Sequence, residues 1–182
     1  MTHGMVCAPQ PEATEAGLDV LRSGGNVVDA AIGAALVQTV VDPQMCGIAG
    51  FGSMQLYLAD EGRSYSIDFH GRAPIATRAD QWLPLIVRES DDGFGFVLEG
   101  QVNEIGYTSM TTPLTLKAFS EALDRFGSRS MAQLLEPAIE YCEEGFIVRP
   151  RVHSFWKQSA QAGRIERSRV LSDDPASAKI YL

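Results

Sequence analysis

An α+β fold is predicted for this 182-residue chain. Three observations lead there. An amphipathic helical pattern is followed at once by a longer apolar one. Two alternating segments are then placed to pair as a hairpin. Helical periodicity returns over the C-terminal part of the chain. Apolar residues make up 45% of the sequence and charged residues 21%, the balance of an ordinary globular chain able to bury a real core. Twenty-three acidic against 15 basic residues leave a formal charge of −8, which argues against a surface that tracks nucleic-acid phosphates.

The first helix is expected from about Glu12 to Ser23. Pro9 and Pro11 suit its entry, Glu12 and Glu15 suit the positive end of its dipole, and Gly24-Gly25 suits its exit. Ala13, Ala16, Val20 and Leu21 form one narrow apolar face. Asn26 reads as the N-cap of the next helix, with Asp29 three residues on, close to a capping box. From Val27 to Val41 nearly every side is apolar and many residues are small, the pattern of a central buried helix. It is shorter than the ~20 residues a membrane span requires. Asp42-Pro43 ends it, because the residue before proline is pushed out of helical space.

After the glycine-rich run Gly47 to Gly52, Met54, Leu56 and Leu58 alternate with polar neighbours as in a half-buried strand. Asp60-Glu61-Gly62 forms a turn, and Tyr65, Ile67 and Phe69 mark a second strand that Pro74 ends. Residues 82–110 show no periodicity and read as loop with one short strand near Phe94 to Leu98. Thr112-Pro113 reads as an N-cap and first-turn proline for a helix with Leu116, Phe119, Leu123 and Phe126 inward. Ser130 caps a further helix with Leu134, Leu135, Ala138 and Cys142 inward and Gly145 at its exit. A helical stretch is expected over Val152 to Val170, with Arg164, Arg167 and Arg169 near its end. The final DDPASAKIYL reads as a turn leading into a strand, so that the chain would stop inside a sheet.

Candidate chemistry is sparse. Cys7, Cys46 and Cys142 form no CxxC pair and read as small hydrophobes in a reducing compartment, and three dispersed histidines make a clustered metal site improbable. GIAGFG has the wrong glycine order for dinucleotide binding and lacks the Lys-Ser/Thr of a phosphate loop. Its bare amides remain candidates to donate to a developing oxyanion, against the plainer reading of a tight turn. If Ser64 to Arg72 stays extended, Tyr65, Ile67 and Phe69 face the core while Asp68, His70 and Arg72 line the other face. An arginine backed by an aspartate is a natural carboxylate receptor, because its forked donors hold two oxygens at once. A solvated edge with surface ion pairing is the competing reading.

These residues also carry a family resemblance. Gly4-Met5-Val6, Glu15-Ala16-Gly17, Gly24-Gly25-Asn26 and Asp29-Ala30-Ala31 fall in step with the opening of the gamma-glutamyltranspeptidase family. Val41-Asp42-Pro43 with GIAGFG, the segment DFHGRAP, and LLEPAIEYCEEGFIV resemble its later motifs in order. The resemblance spans essentially residues 1–182, weakest over 82–110. It implies part of a four-layer αββα N-terminal-nucleophile hydrolase sandwich, incomplete in this chain, with no cofactor. It further implies a precursor that cuts itself and exposes a Thr, which attacks a gamma-glutamyl amide and forms an acyl-enzyme. That Thr is expected beyond Leu182, in a small subunit that is this chain's partner; Thr111-Thr112 runs into Pro113 where the family has V-P-G. This chain alone is therefore expected to be inactive.

One departure concerns the substrate, a small gamma-glutamyl or other carboxyl-bearing amide. The family's arginine that clamps the substrate carboxylate aligns with His70, and its neighbouring glutamate with Gly71. Arg72 lies two residues on, so Asp68, His70 and Arg72 are the expected substrate-binding residues, with altered acyl specificity. A glutaryl- or cephalosporin-acylase-like amidohydrolase is the first alternative, and a non-catalytic binding or structural module the second. No nucleic acid or membrane span enters this reading. No export signal is visible, so the cytoplasm is favoured, with periplasmic or extracellular placement open because many family members are exported.

Overall fold

In a computed structural model, residues 4–157 and 165–182 are described, and they fall into two units. The first comprises residues 1–72 and 113–148, the second residues 73–112 and 149–182.

In the first unit, α1 (Pro11–Arg22) opens on a proline and α2 (Val27–Val41) follows after one tight turn. The two helices cross closely because Gly17 sits at the contact. A Cβ there would lie 2.8 Å from Val6 Cγ1 and 3.0 Å from the Ala30 carbonyl oxygen. The expected cap of α2 is present in full. Asn26 Oδ1 accepts from the amides of Val28 and Asp29 at 2.9 and 3.1 Å, and Asp29 Oδ2 accepts from the Asn26 amide at 2.9 Å. Ile32, Leu36 and Val37 are fully buried, which explains a helix without a polar side.

Asp29 does more than cap. Although wholly buried, its carboxylate also accepts from the Ser128 amide at 2.9 Å, the Ser128 hydroxyl at 2.6 Å and the Arg129 amide at 3.1 Å. Asn26 Nδ2 donates to the Phe126 carbonyl oxygen at 2.8 Å. The start of α2 is thereby tied to the connection between α3 (Thr115–Phe126) and α4 (Met131–Glu144). Burial pushes the Asp29 carboxyl up, but the bonds from Ser128, Asn26 and Arg129 outweigh it and leave the group below its ordinary value.

Strands β1 (Gly52–Leu58) and β2 (Arg63–Phe69) pair antiparallel, with Gly52 opposite Phe69 and Leu58 opposite Arg63. Met54, Leu56, Ile67 and Phe69 pack toward the helical core with Phe119 and Leu123, while Ser53, Gln55, Tyr57, Ser66 and Asp68 stay exposed. The hairpin thus lies on the helices as predicted.

Several expectations need correction. Helix α3 starts at Thr115 with Leu114 as its N-cap, so Thr112 and Pro113 lie before it. The start is set by Gly50, whose carbonyl oxygen accepts from the amides of Leu114 and Thr115 at 3.1 and 3.3 Å. The buried face therefore holds Thr115, Ala118, Phe119, Ala122 and Leu123, and Leu116 is exposed. Helix α4 is capped by Ser130 as expected, but Cys142 is exposed, because only Leu134 and Ala138 of this helix are fully covered.

The second unit contains a hairpin of β3 (Ile86–Glu89) and β4 (Phe96–Leu98), flanked by single helical turns at Leu83–Leu85, Glu99–Gln101 and Tyr107–Ser109. Its second strand falls within the one expected near Phe94 to Leu98; the first carries no sequence signal, because all four of its residues are exposed and show no alternation. Helix α5 (Pro150–Trp156) covers the beginning of the stretch predicted over Val152 to Val170, and α6 (Arg167–Asp173) covers its end. Residues 158–164 of that stretch, Arg164 included, lie outside the described residues. The terminal segment is helical rather than a strand: α7 (Pro175–Tyr181) begins at Pro175, and Asp174 caps it by accepting from the Ser177 amide at 2.8 Å. A capping aspartate before a proline is a helix start, and that local chemistry prevails.

Candidate functional site

The pairing of Gly52 with Phe69 places the residue before β1 beside the residue after β2. Gly52 allows a close approach there. A Cβ would meet the Phe69 ring at 3.0 Å, so the chain passes flush over that ring. Upstream, the Gly50 amide donates to the Gly47 carbonyl oxygen at 3.0 Å, closing a tight turn. The Gly50 amide is thereby committed inside the loop, which favours the structural reading of this glycine run at that position. The loop ends on Phe51, whose side chain stays exposed and whose ring centroid lies 6.1 Å from that of His70.

Strand β2 ends at Phe69 rather than running extended to Arg72, because the His70 amide turns back onto Asp68, so the predicted alternation holds only as far as Phe69. Phe69 is buried, whereas Asp68, His70 and Arg72 are exposed. Within that trio Asp68 is bonded to His70. The His70 amide donates to Asp68 Oδ1 at 3.0 Å, and His70 Nδ1 lies 2.7 Å from the same oxygen. The backbone N–H of His70, then its ring, then more weakly the charge of Arg72 hold the Asp68 carboxyl below its ordinary value. Arg72 therefore reaches Asp68 through its field, and the group backed by the carboxylate is the imidazole. Phe51 is the residue at this place that sequence reasoning did not single out. The signal that finds it is the strand register, which is a pairing rather than a motif.

Beside this end of the hairpin is a cavity of about 610 Å³. Gly47, Phe51 and Gly52 line one side, Ala31 and Ala35 of α2 another, and Phe69 also lines it. A buried polar cluster holds the adjoining chain in place. Asp42 Oδ2 accepts from Gln38 Nε2 at 3.0 Å and from Gln10 Nε2 at 3.2 Å, and Asp42 Oδ1 accepts from Gln44. Cys46 donates to the Gln38 carbonyl oxygen at 3.4 Å, and burial, with the charge of Asp42, pushes its thiol up to about 11. That thiol is a packed group. Among the described residues no group of three or more His, Cys, Asp and Glu is arranged to hold a metal ion, and no helix is long and apolar enough to cross a membrane.

Comparison with known proteins adds to this geometry. The family model for gamma-glutamyltranspeptidase matches residues 13–182. A glutathione hydrolase proenzyme of Bacillus subtilis (strain 168) is 38% identical over 145 residues, which is 80% of this chain and 23% of that protein. An acylase ACY 1 proenzyme of Pseudomonas sp. (strain V22) is 39% identical over 150 residues, 82% of this chain and 26% of that protein. The crystal structure of Helicobacter pylori gamma-glutamyltranspeptidase superposes with a TM-score of 0.81 at 26% identity, over 100% of this chain and 47% of the other. The chain thus spans about a quarter of the length of the curated relatives it matches.

Proposed function

Because the chain belongs to the gamma-glutamyltranspeptidase family, we propose that it is the N-terminal portion of an amidohydrolase that transfers or hydrolyses gamma-glutamyl or similar carboxyl-bearing amides. The nucleophilic Thr is supplied by the remainder of the precursor, and the acyl-enzyme forms there. This chain contributes the hairpin and the wall that receives the acyl group, with Asp68, His70 and Arg72 as its binding residues. The observation that carries this reading is the exposed polar end of β2, beside Phe51 and the glycine loop.

In this arrangement Arg72 supplies the fixed positive charge for the substrate carboxylate, since a guanidinium stays protonated and offers a fork of donors. A histidine at position 70 cannot make that bidentate contact. This favours a second reading, an acylase with altered acyl specificity, and the ACY 1 relative supports it. Kinetics of Arg72→Ala on matched gamma-glutamyl and glutaryl anilides test the proposal in the intact, matured protein. A rise in KM of roughly tenfold or more on both donors is expected from losing a charge-assisted contact. Unchanged constants on both would remove Arg72 and this wall from substrate binding.

A further inference from the structure

The second unit contains a cavity of about 600 Å³, a size typical of small-molecule sites. It is lined wholly by residues of that unit, from Ala73 to Thr111, and none of Asp68, His70 and Arg72 takes part. Local bonds fix its walls. Along one, the Thr77 amide donates to the Pro74 carbonyl oxygen at 2.9 Å and the Leu85 amide to that of Trp82 at 3.0 Å. Gln81 Oε1 accepts from the Arg78 amide at 3.2 Å. Along the other, the Thr108 hydroxyl donates to the Val102 carbonyl oxygen at 2.6 Å and the Ser109 hydroxyl to that of Gly106 at 2.8 Å. Each wall is a run of closed turns, and a preformed site loses less to ordering when a ligand enters.

The chemistry of the lining selects the ligand. No acidic or basic side chain lines the cavity, and the neighbouring Arg78 and Asp80 are bonded to each other at 3.1 and 2.9 Å. A charged ligand would therefore lose water and find no counter-ion. Trp82 and Tyr107 supply two aromatic rings, with Leu85 and Met110 as aliphatic cover. Trp82 and Gln81 are half-buried, and the Trp82 indole N–H and Gln81 Nε2 make no hydrogen bond among the described residues. No buried side-chain nitrogen or oxygen among those residues lacks a partner, so both donors are open to an incoming group. The amide oxygen of Gln81 is already occupied by Arg78, so this pair offers donors and calls for an acceptor. We propose that the cavity binds an uncharged aromatic carbonyl compound, its ring against Trp82 and Tyr107 and its oxygen accepting from the Trp82 indole N–H and the Gln81 amide.

The test uses benzamide as probe, with benzoate and cyclohexanecarboxamide as its charged and ring-saturated counterparts. The readout is the indole N–H peak of Trp82 in proton–nitrogen spectra of the intact, matured protein labelled at tryptophan. Trp82→Phe assigns that peak by removing it. Benzamide should move it downfield and to saturation, with a Kd in the roughly millimolar range of so small a ligand. The peak of Trp156, the other tryptophan of this chain, should stay in place and report an intact fold in each variant. Benzoate and cyclohexanecarboxamide should bind at least roughly fivefold more weakly. Tyr107 is 91% exposed, so Tyr107→Ala leaves folding alone and should weaken benzamide roughly three- to tenfold, as should Gln81→Leu. A Trp82 peak that does not move, or does not saturate, overturns the proposal. Benzoate or cyclohexanecarboxamide binding as well as benzamide overturns the ligand class. Binding indifferent to both Tyr107→Ala and Gln81→Leu overturns the placement. No readout depends on turnover, so each result is separate from the reading of the acyl wall.

Discussion

Replacing Asp29 removes one buried carboxylate and four hydrogen bonds at once, so it probes how the first unit is held together. Bonds to a charged acceptor contribute about 1.5–3 kcal/mol each when the partner donor is left buried, and less when water can reach it. Ser128 is exposed and Arg129 half-buried, so their freed donors regain water in part. On that basis Asp29→Ala should destabilise by about 3–4 kcal/mol, and Asp29→Asn, whose amide presents a donor to two donors, by about 2 kcal/mol. The pH dependence has a definite sign. The folded carboxyl is depressed, so the unfolded chain binds the proton more readily, and stability rises with pH. The contribution is complete above the unfolded aspartate value of about 3.9 and is lost as pH falls below it through the depressed folded value. The gap between wild type and Asp29→Asn should therefore narrow in acid. Urea unfolding followed by circular dichroism across pH measures it, with the exposed Asp19→Asn as a control that stays within about 0.5 kcal/mol. A difference for Asp29→Asn below about 0.5 kcal/mol at neutral pH would refute the argument.

Three further outcomes follow from particular contacts. Gly17→Ala drives a methyl against Val6 and the Ala30 carbonyl and should cost about 1–3 kcal/mol in the same assay, although alanine is the better helix former. With its thiol at about 11, Cys46 is only about a thousandth thiolate at mildly alkaline pH, so iodoacetamide followed by peptide mass mapping should leave it unmodified in the folded protein. Arg125 lies 4.7 Å from the Phe126 ring centroid and 5.7 Å from that of Tyr65; Arg125→Ala should cost about 0.5–1 kcal/mol, and Arg125→Lys should recover only part of it.

Much of the first unit is legible from local pattern. The small-residue run of α2, its Asn26–Asp29 capping box and the period of two in β1 and β2 are short-range signals, and all of them hold. The same logic read too far at Thr112-Pro113. Those residues suit a helix start, but the Gly50 carbonyl oxygen, distant in sequence, takes the amides of Leu114 and Thr115 and begins α3 there. At the C-terminus the local signal is an aspartate before a proline, and it starts helix α7 where the apolar ending suggests a strand.

What the sequence by itself determined is which residues share a face. Alternation along β2 puts Asp68 outward and Ile67 and Phe69 inward, because side chains on a strand have a period of two. Partners were decided only by the tertiary structure. Asp29 holds Ser128 and Arg129 from about a hundred residues away, a contact that no local pattern encodes. Likewise the antiparallel register, Gly52 against Phe69, sets Phe51 beside His70, and the turn of the backbone after Phe69 brings the His70 amide and ring onto Asp68. Periodicity is a property of the local backbone, whereas a hydrogen bond or ring contact depends on where two separate stretches of chain come to rest.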